Sequence, residues 1–283
     1  MYDCVIIGGG PCGVTCAIYL KQAGYTPVII EKEIIGATLL QTSQISNVIG
    51  FIGSGEELAN KLNEQVTQNN IDVIYGEATI KDGKVFINDK QLDTMTILIA
   101  SGTVSRTLPM LKKPHYCALC DGSLYKSKTT LIIGSGNSAY TEALHLSNIC
   151  KKVILLQYTQ SKIRANKELQ DRLNLIPNIE IVKYDEILDD NNNILTIQID
   201  EHLKDIQYDG IFVSIGKIQN TNLIQSIKSF IVNNDYTVEI NNVHYYNIFA
   251  GGDILDKPIR QIITASADGV AVSQQIIDYL RRI

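Results

Sequence analysis

The strongest constraint on this chain is a pattern that occurs twice. Val5-Ile6-Ile7 runs into Gly8-Gly9-Gly10-Pro11-Cys12-Gly13, and Leu131-Ile132-Ile133 runs into Gly134-Ser135-Gly136-Asn137-Ser138-Ala139. Each apolar run is short and rich in β-branched residues, as a strand requires. Each glycine turn opens a segment that reads as a helix, to Ala23 in the first case and Asn148 in the second. A further strand-like run follows each helix, Val28–Glu31 and Val153–Gln157. Glu31 stands 23 residues after Gly8, and Gln157 stands 23 after Gly134. Two copies of one strand, glycine-turn, helix, strand unit therefore organise the chain.

A G-x-G-x-x-G turn lets the backbone turn sharply and approach a pyrophosphate, while the helix that follows presents free N–H groups to the anion. The first turn has Gly8, Gly10 and Gly13, with Pro11 at the helix start. Glu31 ends the second strand, where a carboxylate accepts from ribose hydroxyls. Dinucleotide binding is the expectation there, against the plainer reading of a tight strand–helix turn. The second turn keeps Gly134 and Gly136, opens its helix with Asn137 and Ser138, and has Ala139 at the third position. Its strand ends in Gln157-Tyr158-Thr159. A carboxylate at that point favours NAD and arginines favour the 2′-phosphate of NADP, and the chain has neither. Lys162 and Arg164 lie just beyond. The second site is expected to hold a nicotinamide nucleotide, the alternative being a retained fold whose site has degenerated.

The expected fold class is α/β, with two Rossmann-like nucleotide-binding domains. Thr96–Ala100 and Gly210–Ser214 read as further strands. Ala78–Ile80, Lys84–Ile87 and Ile194–Ile199 read as short antiparallel ones, and Asp189–Asn193 as an Asn-rich loop. Residues 260 to 281 read as a closing helix. A net charge of −5 argues against a nucleic-acid or anionic-membrane surface, which favour positive fields. No apolar stretch approaches the ~20 residues of a membrane helix, and Met1-Tyr2-Asp3-Cys4 does not open like a secretory signal. A cytoplasmic location is the default expectation.

Of six cysteines, Cys4, Cys12, Cys16 and Cys150 have no metal or redox spacing and read as small buried apolar residues. Cys117-Ala118-Leu119-Cys120 is different. Two cysteines separated by two residues, at a turn entering a helix, can form a disulfide and exchange it with a substrate. Such placement favours a thiolate near neutral pH. Asp121 follows directly as a candidate proton donor or acceptor. The competing reading, half of a zinc site, needs two more ligands, and there is no second C-x-x-C or paired histidine. His115 alone reads as a packed or solvated residue.

These motifs together resemble the low-molecular-weight thioredoxin reductases, members of the pyridine nucleotide-disulfide oxidoreductase type, over essentially the whole chain. Cys117-Ala-Leu-Cys120-Asp121-Gly122 is similar to that family's C-A-x-C-D-G redox motif. Thr96–Gly102, Ile248–Asp253 and the run Arg260-Gln261 to Asp268-Gly269 are similar to its flavin-binding segments. The resemblance implies FAD held by Gly8, Gly10, Pro11, Gly13, Glu31, Gln41, Asn47, Gly102, Asp253, Arg260 and Gln261. It implies a homodimer whose FAD domain, residues 1–112 and 246–283, is split by an inserted pyridine-nucleotide domain, 113–245, that carries the dithiol. Cys117 would attack the disulfide of a thioredoxin-like protein, Cys120 would face the flavin, and Asp121 would be the acid. The inserted domain would rotate about hinges near residues 112–115 and 243–246.

NADPH-using members of that family carry H-R-R and then R-A. Here the stretch is Gln157-Tyr158-Thr159-Gln160-Ser161-Lys162-Ile163-Arg164-Ala165, one residue longer and keeping only the final Arg-Ala. Losing buried charged contacts to a phosphate weakens binding by ~2–5 kcal/mol, at least tens-fold in affinity. The donor is therefore left open between NAD(P)H and ferredoxin. Two other activities stay open on the residues alone: a dithiol oxidase that passes electrons to oxygen, and a redox-sensing flavoprotein without turnover.

Overall fold

The computed structural model describes residues 1–42, 44–257 and 259–283. The chain divides into two compact units, Met1–Val104 with Gln219–Ile283, and Ser105–Ile218.

The first unit is built on a seven-stranded sheet. Strand β1 (Tyr2–Ile7) lies between β2 (Pro27–Glu31) and Thr94–Ile99, parallel to both. Asp72–Tyr75 extends the sheet beyond β2. Val243–Ala250 runs parallel to Thr94–Ile99 on the other side, and Thr237–Ile240 and Phe230–Val232 continue it antiparallel. The alternation of β1 explains its uninterrupted apolar run, because both faces are covered. Cys4 and Ile6 pack with Val14, Ala17 and Leu20 of helix α1 (Pro11–Gln22) and with Val272 and Ile276 of the last helix, Ile262–Leu280. Val5 and Ile7 face the other way, toward Ala78, Ile80 and Val85 of a small antiparallel sheet. Ile6 is fully buried, and truncating such a side chain to alanine costs about 2–5 kcal/mol.

The second unit repeats the scheme. Thr129–Ile133 is parallel to Lys152–Tyr158 and to Gly210–Val213, and Ile179–Tyr184 pairs outside Lys152–Tyr158. The helix Asn137–Ser147 buries Ala139, Tyr140, Ala143 and Leu146. An antiparallel sheet of Glu186–Asn191, Ile194–Ile199 and His202–Gln207 completes the unit.

Three expectations change. The run read as an Asn-rich loop is mostly strand: Asp189–Asn191 ends Glu186–Asn191, and only Asn192 and Asn193, both with positive φ, make the turn. Asp190 tolerates a buried strand position because its carboxylate accepts from the Tyr208 hydroxyl at 2.5 Å and the Lys112 amide at 2.7 Å. Residues 219–245, expected in the inserted domain, contribute two strands to the sheet of the first unit, and residues 105–112, expected in the FAD domain, fall in the second unit. The chain passes between units at Val104–Ser105 and Ile218–Gln219. Of the two expected hinges, 112–115 lies within the second unit, and 243–246 lies inside the strand Val243–Ala250, whose ladder bonds hold it in the sheet.

Candidate functional site

Four parallel strands of the first unit end side by side, and most residues expected at FAD sit just past their C-terminal ends. Gly8 follows β1, Glu31 closes β2, Gly102 follows Thr94–Ile99, and Asp253 follows Val243–Ala250. The amides of Gly8, Ala100 and Gly251 donate to Ile30, Ile7 and Ile99 carbonyls at 2.9–3.1 Å, which aligns these ends. The crevice beyond the carboxyl ends of an open parallel sheet is where nucleotides bind.

Each glycine of the first turn has a separate reason. Gly8 has φ +113°, and a Cβ there would lie 2.4 Å from the Ala100 carbonyl oxygen. A Cβ on Gly13 would lie 2.0 Å from the Gly8 oxygen, so helix and strand approach as only glycine allows. Gly10 has nothing within 4 Å of its Cβ direction and stands at the N-cap of α1, which has Pro11 at its first position and no side-chain cap. That leaves the first-turn N–H groups for an anion. The Glu31 carboxylate is anchored beside the turn, accepting from the Gly9 amide at 2.6 Å and the Glu33 amide at 3.1 Å.

The remaining expected residues are Gly102, Asp253, Arg260, Gln261, Asn47 and Gln41. The Ser101 hydroxyl donates to the Asn220 carbonyl at 2.7 Å, and the Asn220 amide donates to the carbonyl of Gly102, which has φ +67°. Asp253 lies in a short helical turn, Gly252–Ile254, 3.7 Å from Lys257, which also pairs with Asp268. Arg260 donates to the carbonyls of Asp253 and Leu255 at 3.1 and 3.2 Å. Gln261 caps the last helix, and its side-chain oxygen accepts from Asn47 at 2.9 Å. Gln41 ends a separate helical turn, Ala37–Gln41.

The second turn has a comparable backbone. A Cβ on Gly134 would lie 2.4 Å from the Ser214 carbonyl oxygen, while the Cβ direction of Gly136 is open. Asn137 accepts from the Asn166 amide at 2.8 Å, and the Arg164 amide donates to Ser135 at 2.8 Å, so the loop after the strand folds back over the turn. The side chains of Ser138 and Arg164 are exposed. Gln157 points inward, buried, and donates to the Tyr140 hydroxyl at 2.7 Å. The Thr159 hydroxyl donates to Asp185 at 2.5 Å; that bond and the Asp200 amide hold the Asp185 carboxyl below the usual range. A carboxylate at the end of the neighbouring strand, Ile179–Tyr184, therefore stands beside the end of this one.

Cys117 and Cys120 form a disulfide with Cα atoms 5.3 Å apart. Cys117 is the N-cap of a single helical turn, Ala118–Asp121, and its sulfur accepts the Cys120 amide at 3.1 Å. This bond favours negative charge on the Cys117 sulfur when the pair is reduced. Asp121 completes the turn, and its carboxylate lies 2.8 Å from His115 Nδ1. No group of three or more histidine, cysteine or acidic residues suited to a metal occurs among the described residues.

The family model for pyridine nucleotide-disulphide oxidoreductases matches residues 2–269. The thioredoxin reductase of Ureaplasma parvum is 34% identical over 100% of this chain and 98% of its own length. The chain belongs to the low-molecular-weight thioredoxin reductases. Among solved structures, the thioredoxin reductase of Lactococcus lactis superposes with TM-score 0.85 at 26% identity, covering 100% of both chains. A ferredoxin-flavin thioredoxin reductase of Clostridium acetobutylicum is 25% identical, with TM-score 0.52 over 99% of this chain and 98% of its own.

The flavin that thioredoxin reductases use fits the first unit, since the open Gly10 cradle and uncapped helix suit a pyrophosphate and Glu31 suits a ribose. Cys12, which stands inside the first turn of this thioredoxin reductase, packs against the backbone of Gly251 and Gly252, and burial pushes its thiol pKa up. Cys4, Cys16 and Cys150 are likewise buried free thiols, Cys4 pushed up to about 12 by desolvation.

Two groups near the sites escaped the sequence reading. His115 read as an isolated histidine, yet it touches the redox turn. Glu142 sits one turn into the helix Asn137–Ser147, with Oε2 lacking a hydrogen-bond partner among the described residues. Desolvation pushes its carboxyl up to about 7, against the opposing pull of Lys217 and Ser214. A carboxylate on the inward side of an amphipathic helix was the one available signal for it.

Proposed function

We propose that this enzyme reduces the disulfide of a thioredoxin-like protein through Cys117 and Cys120, with FAD as the bound cofactor. The observation that carries the reading is the Cys117–Cys120 disulfide, with Asp121 in the same helical turn. FAD, when bound, supplies the two electrons that return the disulfide to the dithiol. The chain's own residues do the rest. Cys117, whose sulfur accepts the Cys120 amide, is the thiolate that attacks the substrate disulfide. Cys120 resolves the mixed disulfide, and Asp121 holds the proton for the departing thiolate. Gly8, Gly10, Gly13 and Glu31 hold the pyrophosphate and ribose of FAD, while Asp253, Arg260 and Gln261 hold its flavin end.

The reading includes a cytoplasmic homodimer and a donor other than tightly bound NADPH. The inward Gln157 and the Asp185 carboxylate support the second point, because neither neutralises a 2′-phosphate. NADH and reduced ferredoxin are the donors to compare with it. In the test, the protein's flavin is bleached anaerobically by each donor in turn, and then thioredoxin reduction is followed with wild type and Cys117→Ser. The variant is expected to keep its flavin and lose thioredoxin reduction. Retained activity overturns the role of Cys117, and thiol-dependent peroxide formation in place of thioredoxin reduction reassigns the enzyme as an oxidase.

A further inference from the structure

His115 is held in place by everything around it. Its amide donates to the Ile211 carbonyl and its own carbonyl accepts from the Val213 amide, both at 2.8 Å, so the residue adds one rung to the edge of Gly210–Val213. The ring packs on Phe212, with centroids 5.2 Å apart, and edge-on against Tyr125 at 5.4 Å. Both ring nitrogens are used: Nδ1 lies 2.8 Å from Asp121 Oδ2, and Nε2 lies 2.7 Å from the Tyr125 hydroxyl. The imidazole is 23% exposed and the Asp121 side chain 39%, so the chain of three groups begins half-sheltered at the dithiol turn.

The chemistry of the three groups sets a direction. Burial raises the Tyr125 pKa, with the charges of Asp121 and Asp209 adding to it, so its hydroxyl stays protonated and can donate to Nε2. Nδ1–H then donates to the Asp121 carboxylate. Hydroxyl, imidazole and carboxylate are thereby ordered as in hydrolase triads, where the carboxylate fixes the tautomer of the imidazole. The other charged or titratable groups around Tyr125 are Asp209, Tyr208 and Lys128, the last 5.9 Å over its ring. None of these reaches Asp121 in place of His115.

We infer that His115 is a positioning residue for disulfide exchange, orienting Asp121 and sharing with it the proton that the departing substrate thiolate takes up. This rests on the reading of Cys117 and Cys120 as the substrate-reducing pair. The step balances. Ionisation of Cys117 places its proton on the Asp121–His115 pair. The Cys117 thiolate then forms a bond to one sulfur of the substrate disulfide, whose S–S bond breaks with its electron pair on the other sulfur. That sulfur receives the proton from the pair. Cys120 attacks the Cys117 sulfur, giving its own proton to the second departing thiolate, and the Cys117–Cys120 disulfide is restored.

The test exploits leaving groups that differ in their need for a proton. An alkyl thiolate is a poor leaving group and an aryl thiolate a good one, so only exchange with the alkyl disulfide depends on a positioned acid. Flavin-loaded wild type and His115→Phe are reduced anaerobically, and dithiol oxidation is timed with hydroxyethyl disulfide and with dithiobis(nitrobenzoate). The variant is expected to slow about tenfold toward the alkyl disulfide and less than about twofold toward the aryl one. Tyr125→Phe, which keeps the ring and removes only the hydroxyl, is expected to shift the ratio in the same sense and stands in if His115→Phe does not fold. Equal slowing toward both disulfides shows a merely structural role and overturns the inference, as does no slowing toward either. Because thioredoxin is not used, failure to reduce thioredoxin leaves this comparison readable.

Discussion

Gly10 and Gly13 lie three residues apart in one turn, yet alanine at each should fail for a different reason. At Gly13 the new Cβ would lie 2.0 Å from the Gly8 oxygen and 3.1 Å from Ile6 Cγ2, whereas ordinary contact begins at 3.4 Å. The obstacle is backbone, so no rotamer relieves it, and α1 must retreat from β1 by more than about 1 Å. Overpacking of that kind costs about 3 kcal/mol, the upper part of its usual range. For a protein of this size, that lowers Tm by roughly 6–12 °C. At Gly10 nothing lies within 4 Å, and the extended φ of −77° suits alanine. The stability loss there is no more than about 1 kcal/mol, the difference between glycine and alanine at an N-cap. On the proposed reading, the new methyl group instead enters the open space where the pyrophosphate binds. Thermal melts of the flavin-free proteins followed by circular dichroism, with FAD titrations beside them, separate the two effects. Gly13→Ala should melt early even without flavin, and Gly10→Ala should melt near wild type and bind FAD weakly. A Gly13→Ala apoprotein as stable as wild type, or a Gly10→Ala protein with undiminished FAD affinity, would refute the reasoning.

Other expectations follow from the second unit. Glu142 has a carboxyl pKa raised from 4.5 to about 7, so the folded state binds its proton more tightly than the unfolded state does. Stability from this group is present below pH 4.5 and is lost as pH rises toward 7. Glu142→Gln should therefore leave stability at pH ~4.5 unchanged and raise it at pH ~8 by up to about 3 kcal/mol, read from urea unfolding at the two pH values. A gain of equal size at both would deny the buried-charge explanation. Arginine at Thr159 combined with Asp185→Asn should tighten NADPH relative to NADH by about tenfold or more, measured by calorimetry. An unchanged ratio would mean that a 2′-phosphate does not reach this strand end.

Much of the molecule is legible in the chain because its key constraints are local. A glycine turn between two apolar runs states its own geometry: Gly8 needs positive φ and Gly13 needs the absence of a Cβ, whatever the rest of the protein does. The C-x-x-C spacing likewise places two sulfurs within bonding reach on one helical turn. What the sequence carries locally, then, is the pair of strand, glycine-turn, helix units, the C-x-x-C pair and the resemblance to the family. Tertiary structure alone decided the unit boundary, since residues 219–245 look equally like strands of either unit until Thr237–Ile240 pairs with Val243–Ala250. It also turned Gln157 inward to Tyr140 and set Asp185 against Thr159, contacts across 17 and 26 residues that no spacing announces. His115 shows the same limit: its meaning depends on a ladder with Ile211 and Val213, nearly a hundred residues away, which fixes the ring between Tyr125 and Asp121. Hydrogen-bond direction and side-chain burial are properties of the packed arrangement, so they become readable only when distant strands are brought together.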